Sequence, residues 1–366
     1  MKYKVDKNIR PAYLQIYNQI KQDIISGILD YNTKLPSKRL LADETKTSTV
    51  TVEHAYALLC DEGYVEARER SGYFVIFKQT DGFSFGETQT VKGAVPKVHT
   101  HDYPDFPFSV LSKTMRSILS VYGEAILERS PGEGCLELRE ALARYLARNR
   151  GLDITTEQIV IGSGAEYLYG LIIELLGHNM VYGIETPSYE KIEQVYRAEE
   201  VALEQLALSH DGIESRALAK TRANVLHTTP YRSFPSGVTA SASKRYEYIR
   251  WAESAERYII EDDFESEFSV STKAEDTLFS LSKSDNVIYL NTFSRTISPS
   301  LRIGYMVLPK GLVSAFQDKL GFYSCSVPTF EQLVIASLLN NGDFERHINR
   351  VRRKLRKQML KTDCSR

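Results

Sequence analysis

Hydroxyl and basic side chains gather at three places in the first 78 residues, and their chemistry suits hydrogen bonding to nucleic acid. Hydroxyl groups bond to base edges and phosphates, and guanidinium and ammonium groups bind phosphate oxygens. Two of the three places are the starts of predicted helices, and the third is a predicted hairpin tip. The sequence therefore predicts as DNA contacts Ser37, Lys38, Arg39, Ser48, Thr49, Thr51, Arg68, Arg70 and Gly72.

Apolar spacing predicts the first two helices that position these residues. Apolar side chains recur at helical intervals over residues 13–24, and Gly27 ends that helix. Ser37 is a good N-cap for a second helix, in which Leu40 and Leu41 are expected to turn inward. This second helix carries the first pair of predicted cations at its start.

A third helix and a hairpin complete the module. Ser48 offers another N-cap, and the apolar stripe of the helix that follows is Val50, Val52, Ala55, Tyr56 and Leu59. Residues 64–67 and 73–76 alternate in polarity, which predicts a hairpin around the basic segment 68–72. This pattern favours a helix-turn-helix with a wing, whose recognition helix enters the major groove. A small protein-interaction module is the alternative that the pattern leaves open.

Composition limits the classes of protein that the chain can be. Its 366 residues, 42% of them hydrophobic, exclude a mainly disordered protein and predict two or three domains. The net charge is −1, and residues 1–78 carry twelve basic and ten acidic side chains, so nucleic-acid binding requires a local patch. The four cysteines form no CxxC pair, and the chain shows no signal peptide or long apolar run. We expect a cytoplasmic protein without a structural metal site.

The chain is expected to divide at a linker over residues 79–100, which is rich in Gly, Thr and Gln and lacks periodicity. A winged helix over residues 1–78 precedes it. From residue 101 to residue 345, helical and short apolar strand-like segments alternate, which predicts an α/β domain with a mostly parallel sheet. Residues 346–366 are expected to continue as a helix.

The first module resembles the winged helix of GntR-type bacterial regulators. The resemblance rests on Pro11-Ala-Tyr13-Leu-Gln15-Ile16, Leu35-Pro-Ser-Lys-Arg39-Leu-Leu-Ala42, Thr51-Val52, Ala55-Tyr56 and Glu62-Gly63-Tyr64. The family usually has Ser-Arg before the recognition helix, where this chain has Ser48-Thr49. A guanidinium that grips phosphate or guanine is thus replaced by a short hydroxyl, which affects affinity or sequence preference.

The second module resembles a fold-type-I, pyridoxal-phosphate-dependent aminotransferase. Six segments carry this resemblance: Gly134-Cys-Leu-Glu-Leu138-Arg139, Ile161-Gly-Ser-Gly164-Ala165, Thr186-Pro187-Ser-Tyr189, Thr229-Pro-Tyr-Arg-Ser-Phe-Pro235-Ser-Gly237, Ile260-Glu-Asp262-Asp263-Phe264, and Thr292-Phe-Ser294-Arg295 through Arg302-Ile-Gly304. Joined to a GntR-like winged helix, this module is similar to the MocR type of regulator. The resemblance implies a homodimer that binds operator DNA and responds to a small-molecule effector.

The resemblance also implies roles for individual residues. The helix start at Gly164, Ala165 and Glu166 would face the cofactor phosphate, which Arg302 would bind together with the Thr292 and Ser294 hydroxyls. Asp262 would pair with the pyridine nitrogen, and Tyr189 would stack on the ring. For each role a plainer alternative stays open. The helix start at residues 164–166 could bind nothing, and Arg302 could form a surface ion pair. Asp262 could be a solvated strand end, with Glu261 or Asp263 as the alternative partner of the ring nitrogen, and Tyr189 could simply pack.

Two departures from the family pattern weaken the cofactor chemistry. Arg295 stands where the family has its Schiff-base lysine, and arginine stays protonated and cannot form the imine bond. The next lysine after Arg295 along the chain is Lys310, which lies beyond the motif. Phe264 replaces a tyrosine whose hydroxyl contacts the cofactor. The resemblance therefore implies weak, non-covalent pyridoxal phosphate binding at best and no transamination.

The chain ends inside the helix that leads, in this family, to a small C-terminal domain, so the sequence is interpreted as truncated. Residues 345–366 carry nine basic and two acidic side chains, typical of a solvated helix face or, alternatively, of a nucleic-acid tail. A DNA-binding regulator with an inactive aminotransferase-like domain is the favoured hypothesis. An active aminotransferase and a truncated, non-functional regulator remain the alternatives.

Overall fold

A computed structural model describes residues 3–6, 11–68, 71–77, 106–264, 266–269 and 276–363. The chain divides into two units, Met1–Val98 and His99–Arg366. The boundary between them falls within the predicted linker, residues 79–100, which lies outside the described residues.

The first unit contains the three predicted helices and the hairpin. Its elements are α1 (Ala12–Ile25), α2 (Lys38–Thr45), α3 (Thr49–Asp61), β1 (Val65–Arg68) and β2 (Gly72–Val75). The two strands pair antiparallel with Val65 opposite Val75 and Arg68 opposite Gly72. Ile16, Ile20 and Tyr56 are fully buried in the core that the helices share. The winged helix-turn-helix predicted from the sequence is therefore confirmed.

Two apolar residues of this unit do not lie where the sequence predicted. Leu40 is 51% exposed and Val50 is 71% exposed, although both were expected to face inward. Val50 precedes the buried Val52 by two positions, or about 200° around a helix, which turns it to the opposite face. Leu40 lies beside Leu41, which takes the inward position on α2. The predicted stripe of α3 therefore begins at Val52.

The second unit is an α/β domain. Its helices are α4 (Phe108–Tyr122), α5 (Leu136–Arg150), α6 (Ala165–Leu176), α7 (Glu190–Ala198), α8 (Ser215–Lys220), α9 (Ala242–Glu253), α10 (Leu278–Leu281), α11 (Lys310–Leu320), α12 (Thr329–Asn340) and α13 (Asp343–Asp363). Its strands are β3 (Ile159–Gly162), β4 (Val181–Thr186), β5 (Ala202–Ser209), β6 (Gly212–Ile213), β7 (Val225–Thr228), β8 (Tyr258–Asp262), β9 (Val287–Thr292) and β10 (Gly304–Val307).

The eight strands form one sheet in the order β3-β10-β9-β8-β7-β4-β5-β6. Strands β5, β4, β7, β8 and β9 run parallel, whereas β10 is antiparallel to both of its neighbours. The carboxyl ends of parallel strands meet at one edge of a sheet, the usual position of ligand sites in α/β folds. Gly304, at the start of β10, lies opposite Thr292 and Gly162 and so reaches the same edge.

Helices cover both faces of the sheet. One apolar cluster joins the strands to α5, α12 and α13, and another joins them to α6, α7 and α11. Strands β8 and β9 are buried along nearly their whole length, as expected for a sheet packed on both sides. Among the described helices, none combines the length and the apolar character needed to cross a membrane.

Candidate functional site

The start of α3 presents hydroxyl groups on the surface of the first unit. Ser48 is the N-cap, and its Oγ accepts a hydrogen bond from the Thr51 backbone N–H at 3.1 Å and lies 2.8 Å from the Thr51 hydroxyl. Thr49 is exposed at the first position of the helix. Ser37 caps α2 by accepting from the Leu40 N–H at 3.2 Å. Both caps therefore fix the backbone beside the predicted DNA contacts.

The predicted cations differ in how they are engaged within this unit. Lys38 forms a 2.5 Å ion pair with Glu53 of α3. Arg68 is turned back onto the wing, where it pairs with Glu66, donates to Asn32 Oδ1 at 2.8 Å and lies 4.4 Å from the centroid of the Phe74 ring. Arg39 is exposed and has no ion-pair partner among the described residues. Its guanidinium is thus the more accessible of these charges.

Two of the nine predicted DNA contacts need separate mention. Gly72 pairs with Arg68 at the end of the hairpin and has a φ of +109°, a conformation that glycine adopts readily. Arg70 lies outside the described residues.

A cavity of about 360 Å³ opens at the carboxyl edge of the sheet in the second unit. Nine of the ten predicted cofactor contacts line it: Ala165, Glu166, Tyr189, Asp262, Phe264, Thr292, Ser294, Arg295 and Arg302. The tenth, Gly164, is the N-cap of α6 with a φ of +93° and ψ of 176°, a conformation that is essentially restricted to glycine. The structure therefore brings these residues together from the end of β8, from β9, from the starts of α6 and α7, and from the loop that precedes β10.

Asp262 is the one of three consecutive acidic residues that faces the cavity. Side chains alternate along a strand, so its neighbours face the other side of the sheet. Glu261 accepts hydrogen bonds from the Leu278 and Phe279 N–H groups at 2.8 and 2.9 Å, and Asp263 pairs with Arg150. Acidic residues at strand ends are commonly solvated, but all three of these carboxylates are buried.

Within the described part of the chain, the two oxygens of the buried Asp262 carboxylate differ, because only one of them has a hydrogen-bond partner. Its Oδ2 accepts a hydrogen bond from the Tyr169 hydroxyl, and His227 Nε2 lies 3.6 Å from the same oxygen. Tyr196 in turn contacts the other ring nitrogen of His227 at 2.8 Å. Among the described residues, no group hydrogen-bonds to Asp262 Oδ1. A ligand carrying an N–H donor would satisfy this buried acceptor.

The opposite end of the cavity is a small ion cluster. Glu166, in the first turn of α6, pairs with Lys191 at 3.0 Å through one carboxylate oxygen and with Arg302 at 3.1 Å through the other. Burial acts to raise the pKa of Glu166, but a backbone N–H, Lys191 and Arg302 outweigh it and hold that pKa below its usual range. Arg302 has a φ of +50°, uncommon for a residue other than glycine, and this turn directs it toward α6.

Aromatic side chains form the walls between these two ends. The Tyr189 and Phe234 rings meet edge to face with their centroids 6.1 Å apart. The Arg295 guanidinium carbon lies 5.4 Å from the centroid of the Phe264 ring, within the range of a cation–π contact. The walls suit a flat ring, and the two ends suit polar substituents on it.

Sequence reasoning missed five residues that line the cavity: Tyr169, Lys191, Ile192, Phe234 and Pro299. Tyr169 follows Ala165 by four positions on α6, so helical spacing was an available signal for Tyr169. Lys191 follows Tyr189 by only two positions, a separation at which helical side chains do not share a face, so spacing gave no signal for it. Lys191 lines the cavity and Lys310 does not, and only the fold brings Lys191 there, since it lies more than 100 positions before Arg295 in the chain. Its hydrogen bond with Glu166 raises the pKa of Lys191, which keeps its amine protonated.

Two family models match the chain. The model for bacterial regulatory proteins of the gntR family matches residues 12–75, and the model for aminotransferase class I and II matches residues 101–364. The chain belongs to the MocR-type regulators, in which a GntR helix-turn-helix precedes an aminotransferase-like domain. The fold predicted from the sequence and the regulator class are thereby confirmed.

Curated relatives match this chain across nearly its whole length. The chain is 31% identical to the HTH-type transcriptional regulator YdeL of Bacillus subtilis, over 95% of this chain and 77% of that protein. It is 28% identical to the pyridoxine biosynthesis transcriptional regulator PdxR of Corynebacterium glutamicum, over 93% of this chain and 75% of that protein. The chain is 26% identical to the probable rhizopine catabolism regulatory protein MocR of Rhizobium meliloti, over 94% of this chain and 74% of that protein.

Solved aminotransferases share the fold of the second unit. An archaeal alanine:glyoxylate aminotransferase superposes with a TM-score of 0.62 at 23% identity, over 68% of this chain and 64% of that one. The kynurenine aminotransferase of Pyrococcus horikoshii superposes with a TM-score of 0.61 at 26% identity, over 69% of this chain and 66% of that one. The chain thus spans about two thirds of the length of these enzymes and about three quarters of the length of the regulators.

Proposed function

We propose that this MocR-type chain binds operator DNA through its winged helix and senses a small molecule in the cavity of its aminotransferase-like unit. The observation that carries the proposal is the surface at the starts of α2 and α3, where Arg39 and Thr49 are exposed and the caps Ser37 and Ser48 fix the helix ends. A recognition helix with this geometry enters the major groove by its N-terminal end. Such a regulator acts in the cytoplasm, where the operator is accessible.

The proposal includes a homodimer, because helix-turn-helix regulators read paired half-sites. Large apolar side chains that a partner could cover are exposed on the second unit. Phe322 and Tyr323 stack on each other at 4.3 Å and are 77% and 50% exposed, and Leu127 is 82% exposed. Exposed apolar surface of this kind is typical of an interaction face.

The cavity fits pyridoxal phosphate in part. Asp262 Oδ1, to which no described residue hydrogen-bonds, fits the ring N–H, and the aromatic walls fit the ring. The α6 start, Arg302, Thr292 and Ser294 lie where the phosphate would bind. When bound in this fold, pyridoxal phosphate supplies an electron sink for carbanion chemistry. In this chain Asp262 would orient the ring and Arg302 would bind the anion, so the cofactor is held weakly and reversibly.

Catalysis is not part of the proposed function. Arg295 stands at the position that the family's lysine takes in the motif, and a guanidinium remains protonated at any physiological pH. Lys191 is no substitute, because its pairing with Glu166 raises its pKa and keeps the amine charged. Phe264 brings no hydroxyl to the cavity. The aminotransferase-like unit therefore serves ligand sensing and assembly rather than transamination.

DNA binding is tested by fluorescence anisotropy with the region upstream of the chain's own gene and with a shuffled duplex. Arg39→Ala should weaken specific binding by about 1–3 kcal/mol and lower the salt slope by about 1. Lys38→Ala is the matched neighbour and should have a smaller effect, because Glu53 already neutralises its charge. Thr49→Arg should strengthen binding and raise the salt slope by about 1.

The stoichiometry of the same titration should be two chains per operator. Equal affinity of wild type and Arg39→Ala for the upstream region, or equal affinity of wild type for both duplexes, would contradict the proposed function.

A further inference from the structure

The anion-binding end of the cavity already holds an anion that belongs to the chain. The Glu166 carboxylate lies between Lys191 Nζ at 3.0 Å and an Arg302 terminal nitrogen at 3.1 Å. Arg302 and the α6 start are the groups that would bind a phosphate, and Glu166 sits in the first turn of that helix. The carboxylate thus uses the same donors that a phosphate ester would need.

Charge makes this competition unfavourable to a phosphate. Glu166 stays ionised at neutral pH, because Lys191, Arg302 and a backbone N–H hold its pKa below the usual range. A phosphate dianion entering beside it would meet a like charge at close range and would have to share Arg302 with it. A ligand without phosphate meets no such repulsion, and its ring still finds the aromatic walls.

The other end of the cavity is independent of Glu166. Asp262 is 3% exposed and lines the cavity, and among the described residues its Oδ1 has no hydrogen-bond partner. A buried acceptor of this kind recognises an N–H donor on a ring. Asp262 therefore recognises the ring, whereas Glu166 acts against the phosphate.

We propose that Glu166 is a specificity-determining residue that occupies the phosphate position of the cavity, so that the chain prefers a protonated nitrogen-heteroaromatic ring without phosphate over the phosphate ester of the same ring. The proposal rests on the proposed sensing function of the cavity. The ligand class that it assigns to the cavity is a pyridinium ring without phosphate. Asp262 would bind the ring N–H, and the aromatic walls of Tyr189, Phe234 and Phe264 would enclose the ring.

Isothermal titration calorimetry of the full chain with pyridoxine and with pyridoxine 5′-phosphate tests this preference. Both probes are alcohols and form no imine with lysine, so the readout is non-covalent affinity alone. Wild type should bind pyridoxine at least as tightly as its phosphate. Glu166→Gln should tighten binding of the phosphate ester at least about tenfold, or about 1.4 kcal/mol, while changing pyridoxine affinity by less than about threefold.

Two further variants sharpen the measurement. Glu190→Gln removes one negative charge from the first turn of α7, where Glu190 pairs with Gln194, and should leave the affinity ratio unchanged. Glu166→Ala removes the carboxylate without adding an amide. Like Glu166→Gln, it should raise the affinity for pyridoxine 5′-phosphate relative to that for pyridoxine. Circular dichroism of each variant confirms that the fold is retained.

The proposal is overturned by any of three results. These are a wild type that prefers the phosphate ester tenfold, a ratio that Glu166→Gln leaves unchanged, and absence of binding of both probes to wild type and to both Glu166 variants. Because DNA is absent from the titration, loss of operator binding would refute the proposed regulator while leaving the ligand preference standing.

Discussion

Replacement of Arg150 should destabilise the second unit strongly, because this residue forms a buried ion pair. Its side chain, 4% exposed at the end of α5, lies 3.1 Å from a carboxylate oxygen of Asp263, whose side chain is fully buried. At that separation two unit charges attract by about 5 kcal/mol for an effective dielectric constant of about 20. Burial raises the pKa of the neighbouring Glu267 to about 7, and Arg150 counters that rise.

Arg150→Met leaves these carboxylates buried without their counter-charge. The free energy of unfolding should fall by about 3–5 kcal/mol, the range for breaking a buried ion pair. Burial already raises the pKa of Asp263, and loss of Arg150 should raise it further. A folded state that binds a proton more tightly than the unfolded chain loses stability as the pH rises. The deficit of the variant should therefore grow from about pH 4 upward.

Urea denaturation followed by tryptophan fluorescence measures this change in the second unit, because Trp251 of α9 is the single tryptophan of the chain. Arg148→Met is the matched control on the same helix. Arg148 pairs with Glu345 at 2.7 Å but is 53% exposed, so its replacement should cost less than about 1 kcal/mol. Equal losses for the two variants, or a loss below about 1 kcal/mol for Arg150→Met, would refute the reasoning.

Two further predictions concern a buried carboxyl group and the cavity. Burial raises the pKa of Glu185 to about 7 although the Thr228 and Ser233 hydroxyls donate to it, so stability should fall between about pH 4.5 and pH 7. Glu185→Gln should flatten that fall by at most about 1.4 kcal/mol per pH unit in urea titrations, and identical slopes would contradict the assignment. After treatment with pyridoxal phosphate and borohydride, intact-mass spectrometry with peptide mapping should find an adduct at position 295 in Arg295→Lys and none in the wild-type cavity. An adduct on Lys191 of wild type would show that this amine replaces the family's lysine.

Local signals account for how well the first unit was predicted. Ser37 and Ser48 act on N–H groups within three residues, so their capping roles are readable from the chain alone. Leu40 was misassigned because apolar character does not say which of two adjacent residues meets the core, and Val50 because its apolar character was counted although it breaks the helical spacing of the residues that follow. The exposure of Leu40 depends on how the three helices pack, whereas the exposure of Val50 follows from its place two positions before the buried Val52.

In the second unit the sequence by itself determined the order of strands and helices and the presence of Asp262, Arg295 and Arg302 near strand ends. Parallel strands bring their carboxyl ends to one edge, so the gathering of these residues followed from the predicted fold class. Alternation along β8 separates Asp262 from Glu261 and Asp263, but only the structure shows that the cavity lies on the side of Asp262.

The contacts that set the cavity's chemistry were decided by the tertiary structure alone. Glu166 and Arg302 are 136 positions apart, and their ion pair exists because the turn before β10 directs the guanidinium at the start of α6. Lys191 reaches the same carboxylate from α7, 25 positions along the chain. Each of these distances depends on how helices seat against a shared sheet, since side-chain packing, not local sequence, sets where the charged ends of long side chains meet.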